Sequence, residues 1–280
     1  MASVFALKLA QALPFGRGQL GLIPRQRRQI LRALVAMDVV VPLVALLVIL
    51  VVRPTAATAI GLAIAAASPA APLAVMSAVK AGGTPRYVLG LHLTAALLAP
   101  VTVPIALELL GRALQLDGAV DSVAVARQVA LAVFLPTCLG LAIRWRRPAL
   151  ADRIVGPLTR VGGLVLLAVL VLVVAGSFRL LLTFEPRSYL AVVLMVAGAL
   201  AAGQVLGPPR REDRTALALE CASRSPGLAM LIASFNFPRD AALQVLIPYL
   251  LAAGLASTVY ARWRARGGAR PSPGSAARGR

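Results

Sequence analysis

Glu220 and Arg224 stand four residues apart in an otherwise apolar stretch, Arg214–Phe235, which reads RTALALECASRSPGLAMLIASF. Four residues make one helical turn, so on a continuous helix the two side chains could pair. A charge at the centre of a membrane-spanning helix costs about 2.5–3.5 kcal/mol on the insertion scale, which makes a ligand or a buried partner the expected reason for it. Ser223 and Ser225 add hydroxyls beside the charges. Pro226 removes a backbone donor and Gly227 loosens the turn, so the helix is expected to break there. Broken backbone at membrane depth is tolerated only against protein or a wet cavity. These residue types suit the binding of a charged ligand.

A second stretch, Ala56–Lys80, has the same design, with breaks at Ser68-Pro69 and at Pro72. Serine before proline suits the start of a half-helix: the hydroxyl can cap an orphan N–H, and proline lacks the donor that would go unpaired. Two such starts near the midplane would aim positive dipole ends at one spot, which favours an anionic group. Paired interrupted spans are the best sequence pointer to a transporter's binding site. Asp38 lies eight residues into the apolar segment Ile30–Val52, roughly 12 Å from its end at helical rise, too deep to reach water unaided. His92, the single histidine, is expected to be a packing residue within its span. No HExxH, GxSxG or comparable catalytic motif occurs, so the chain is not expected to be an enzyme.

The elements that position these residues follow from hydropathy. Of 280 residues, 59% are hydrophobic and 14% charged, which places the chain among all-α polytopic membrane proteins. Spans are expected near 30–52, 56–80, 86–110, 128–143, 155–178, 189–206, 214–235 and 241–260, with a doubtful piece of helix at Met1–Leu13. They form one transmembrane domain, 1–264, followed by a disordered tail, 265–280. The net charge of +19 lies in short loops and the tail rather than on an aromatic-laced soluble face, which argues against nucleic acid. Taking loops alternately, twenty Lys and Arg fall on one side and six on the other. The positive-inside rule then puts the C-terminus in the cytoplasm, with the inner membrane as the compartment and the bilayer as first partner. The triplet around 30–110 starts inside and the triplet around 189–260 starts outside, so the two halves form inverted repeats.

The order of spans, the segment VVVP after a basic loop, SPAAP leading to KAGG, and LALECASRSPGLA together resemble the bile acid:sodium symporter family. The resemblance runs from about Gly21 to Arg264. It implies a core domain with two broken helices that cross at the site, a panel domain, and secondary transport of a small organic anion. By that resemblance the chain is expected to be shortened at its N-terminus, without the family's first helix. Glu220 matches the family's sodium-binding glutamate. The glutamine-asparagine pair expected after it is here Arg224-Ser225. The polar pair after the first break falls on Ala74 and Val75, and the glutamine of the first full span falls near Met37, beside Asp38. Transport without a sodium requirement is therefore expected, with Arg224 standing either for the missing cation or as a substrate ligand. The binding set expected is Glu220, Arg224, Ser225, Ser68, Asp38 and Ser223, positioned by Pro69, Pro72, Pro226 and Gly227. No cofactor is expected. A sodium/proton-antiporter-like carrier and a non-transporting receptor are the alternatives, and neither the substrate nor the oligomeric state follows from the sequence.

Overall fold

A computed structural model describes residues 2–15, 27–115, 121–176, 184–236 and 239–266. The described residues are helical and form no strand ladder, only one isolated bridge. Eleven helices follow in order: α1 Ala2–Ala12, α2 Arg27–Val52, α3 Ala56–Ala67, α4 Pro72–Lys80, α5 Pro85–Ala113 and α6 Ser122–Arg146. Then come α7 Pro148–Gly176, α8 Pro186–Leu206, α9 Arg211–Ala222, α10 Pro226–Asn236 and α11 Arg239–Arg266. Five of the described helices are long and apolar enough to cross a membrane, and the broken spans are built from shorter apolar pieces such as Ala56–Ala67 and Pro226–Phe235. The protein is an all-α polytopic membrane protein.

Local chemistry sets the helix ends. Arg53 adopts the left-handed conformation before Pro54, and Thr55 then caps α3 by accepting the Thr58 N–H at 3.3 Å. Asp121 caps α6 by accepting from Val123 and Ala124, both at 3.0 Å, so α6 begins six residues before the expected 128. The basic segment 144–152 is almost wholly helical rather than a loop: only Arg147 separates α6 from α7, whose first residue is Pro148. Residues 177 and 178, the end of the expected span 155–178, lie outside the described residues. The last helix continues to Arg266, two residues into the segment expected to be disordered, and 267–280 lies outside the described residues.

The helices pack in two groups. One consists of α2, α3, α4, α8, α9, α10 and α11, the other of α1, α6 and α7, with α5 touching both. The resemblance implies a core and a panel of this kind, with α5 counted in the core. Each half of the core presents a full helix, a broken helix and a full helix in that order (α2, α3/α4, α5, then α8, α9/α10, α11). Close approach depends on small residues. A Cβ on Gly203 of α8 would come within 2.5 Å of the Ala218 Cα of α9, and one on Gly61 of α3 within 2.5 Å of the Val245 Cβ of α11. Outward, Leu31, Val35, Val39, Leu43, Leu47 and Leu50 make an exposed apolar stripe along α2 at helical spacing, the pattern of a lipid-facing surface.

Candidate functional site

The two helix breaks meet. Ala70 and Arg224 form an antiparallel bridge in which the Ala71 N–H donates to Ser223 O at 2.7 Å and the Ser225 N–H donates to Pro69 O at 2.8 Å. Backbone groups that a broken helix would leave unpaired in lipid thus satisfy each other across the crossing. The fragments α3 and α9 end at the crossing, and α4 and α10 leave from it with proline in their first turn, Pro72 and Pro226.

This pairing corrects the expected match between the breaks. Ser68 does not start a half-helix. It terminates α3, and its Oγ donates to Ile64 O at 2.8 Å, back along its own helix. Ala71-Pro72, not Ser68-Pro69, is the counterpart of Ser225-Pro226, while Ser68 corresponds to Ser223, which terminates α9. Ser223 is half-buried, 3.4 Å from the Ser257 Oγ of α11, and Ser225 is buried. Gly227 lies half-buried in the first turn of α10.

Arg224 is 2% exposed and sits within the crossing. Its Nη2 donates to Met37 O at 2.9 Å and to Ala66 O at 2.5 Å. Both carbonyls are available for a definite reason. Ala66 lies in the last turn of α3, where carbonyls lack helical donors. Met37 lies in the π-helical turn Ala36–Val40, where the Val41 N–H reaches back to Ala36 O instead of Met37 O. Opposite, the Tyr249 Oη of α11 donates to Ala222 O at 2.8 Å, so a side chain also closes the C-terminal end of α9. Arg224 Nε and Nη1 have no hydrogen-bond partner among the described residues. Asp38, half-buried in the same π turn, lies within the field of Arg224, although no ion pair joins them among the described residues.

Glu220 is fully buried, and its partner is not Arg224. The expected pairing assumed one continuous helix, but α9 ends at Ala222, so Arg224 turns away on the extended segment that follows. Glu220 Oε2 lies 3.4 Å from His92 Nδ1 of α5. His92 Nε2 lies 3.1 Å from Lys8 Nζ and 3.1 Å from Gln11 Oε1, both on α1. The Gln11 amide nitrogen donates to Pro72 O at 2.8 Å, which ties α1 to the start of α4. Glu220 Oε1 has no partner among the described residues. Lys8, Gln11 and His92 are the residues that the sequence reading missed. A lysine within a short apolar helix was the available signal, and it pointed inward.

At the positions that the resemblance assigns to sodium, few oxygens are free; Glu220 Oε1 is one of them among the described residues. A hard cation needs several oxygen ligands. Met37 O and Ala66 O already accept from Arg224, Glu220 Oε2 faces His92, and Ala74 and Val75 are apolar and buried. Lys8 and Arg224 add two buried cationic side chains to the same region.

A model of the Sodium Bile acid symporter family matches residues 18–184, more than half of the chain. The match covers α2 to α7 with the first break, and it ends before the second. No curated protein matches the sequence.

Proposed function

The chain belongs to the sodium bile acid symporter family, and from that premise we propose that it carries a small organic anion across the membrane by alternating access. The observation that carries this reading is Arg224. A guanidinium is always charged, and this one is buried at the crossing with Nε and Nη1 unpartnered among the described residues. A carboxylate or sulfonate group is the natural complement, because it accepts from such donors in a planar, charge-assisted arrangement. The first turns of α4 and α10 add backbone N–H groups and positive dipole ends beside it. Ser223, Ser225 and Asp38 complete the proposed surroundings, with Asp38 supplying a nearby negative charge in the field of Arg224.

The interruption of regular hydrogen bonding at the crossing supports alternating access. The crossing is held by two backbone bonds and by the Arg224 contacts, whereas the flanking helices are continuous. The core helices can therefore move as a unit against α1, α6 and α7, exposing the crossing to one side and then the other. The charge asymmetry of the loops supports a cytoplasmic C-terminus in an inner membrane.

The test is counterflow in proteoliposomes: vesicles preloaded with an unlabelled anion and offered the same anion labelled, over a panel of bile acids and short carboxylates. Transient accumulation above equilibrium is expected for at least one member, with choline as well as with sodium as the bulk cation. Binding without counterflow would point to a receptor and sink the carrier reading.

A further inference from the structure

We infer that Lys8 is a resident counter-cation for Glu220, delivered by α1 and relayed through His92, so that this carboxylate takes no ion from solution. The hydrogen-bond polarity of the chain carries the inference. An ammonium has donors only, so Lys8 Nζ, 3.1 Å from His92 Nε2, donates to it. Gln11 Oε1, an acceptor, also lies 3.1 Å from Nε2, so of the two neutral tautomers the one with its proton on Nδ1 serves two contacts, Lys8 Nζ on Nε2 and Glu220 Oε2 at 3.4 Å from Nδ1, and the other serves Gln11 alone. The row ammonium, imidazole, carboxylate runs in one direction from α1 to α9, and each end supplies the charge that the other needs. All three residues are buried, with Lys8 2%, His92 5% and Glu220 0% exposed. Lys8 is too deep to be a surface lysine that happens to fold inward.

The surroundings keep the ammonium there. Gln11, one turn along α1, has its amide nitrogen fixed on Pro72 O at 2.8 Å, which turns its oxygen toward the same corner. Among the described residues, the other ionisable groups that feel Glu220 are Tyr87 of α5 and Cys221 of α9, and neither is a cation at neutral pH. Lys8 and Arg224 thus approach the crossing from two sides, one through α1 and one through the break itself. A carrier equipped in this way exchanges its anion without a driving cation. That consequence rests on the carrier reading, whereas the charge arrangement does not.

Two measurements on the purified full-length protein test it. Because His92 is the only histidine, 15N-histidine labelling reports one ring. At neutral pH the spectrum is expected to show a protonated Nδ1 and a bare Nε2; a bare Nδ1 overturns the inference. The second measurement is thermal unfolding in choline, lithium and sodium chlorides at constant ionic strength. Wild type and Lys8→Arg are expected to melt alike in all three. Lys8→Ala, which removes the ammonium and leaves room for an ion, is expected to melt about 5–10 °C higher at sodium or lithium concentrations near one hundred times its dissociation constant. The double variant Lys8→Ala/Glu220→Gln is expected to lose that response. A saturable sodium response in wild type, or none in folded Lys8→Ala, overturns the inference. If Lys8→Ala does not fold, the ring tautomer and the wild-type sodium response decide. Failure of counterflow with these results intact would sink the carrier reading alone.

Discussion

Replacing Arg224 by methionine separates its two jobs. Met37 O and Ala66 O would lose their donor, and hydrogen bonds from a charged group contribute about 1.5–3 kcal/mol each, so the loss is about 3–6 kcal/mol. Against this, the substitution removes a buried guanidinium with two unpartnered nitrogens, whose burial costs several kcal/mol. The two effects oppose each other, and the net change in folding stability is expected to stay within about 2 kcal/mol, a shift in Tm of no more than about 8 °C. Anion binding has no such offset. At an effective dielectric of about 20, a carboxylate 4 Å from the guanidinium gains about 4 kcal/mol, so Arg224→Met is expected to weaken half-saturation by about a thousandfold. Arg224→Lys keeps the charge but not the planar fork, and a loss of about tenfold is expected. The assay is concentration-dependent counterflow beside thermal unfolding of the same preparation. If Arg224→Met keeps its half-saturation within about threefold of wild type, the guanidinium is a strut and not a ligand, and the proposed site is wrong.

Packing and topology yield two more predictions. Gly61→Ala drives a methyl to within 2.5 Å of Val245 Cβ, so it should cost about 1–3 kcal/mol, and adding Val245→Ala should restore most of the lost Tm; equal melting of the single and double variants would show that α3 and α11 do not touch there. A reporter fused after Arg280 should be active only in its cytoplasmic form, and activity of a periplasm-only reporter would reverse the orientation.

Much of the architecture was legible in one dimension because a bilayer imposes it. Apolar length makes spans, basic loops choose a side, and Pro72 and Pro226 mark the two breaks, although Pro100 and Pro104 lie inside the continuous α5. Arg224 could be singled out for the same reason: a charge at that depth needs an explanation before any contact is known. The panel and core grouping followed from the resemblance rather than from any residue pattern.

Pairing was different. Sequence spacing placed Glu220 and Arg224 one turn apart, and that held only if the helix continued between them. The backbone leaves helical geometry at Ser223, so four residues of separation carry the side chains to different neighbours. Likewise Ser68-Pro69 looked like the twin of Ser225-Pro226, until the antiparallel bridge between Ala70 and Arg224 set the register and moved the match to Ala71-Pro72. One of the two carbonyls that hold Arg224 is free because a π turn shifts a hydrogen bond from Met37 O to Ala36 O, a displacement that composition does not record. Lys8 is the clearest case. It lies 84 residues from His92, and His92 lies 128 from Glu220. The sequence determined that each of these groups is polar in an apolar setting and so must find a partner. Only the packing of α1 against the core decided which partner, because contact between such distant positions is a property of the folded surface and not of the local chain.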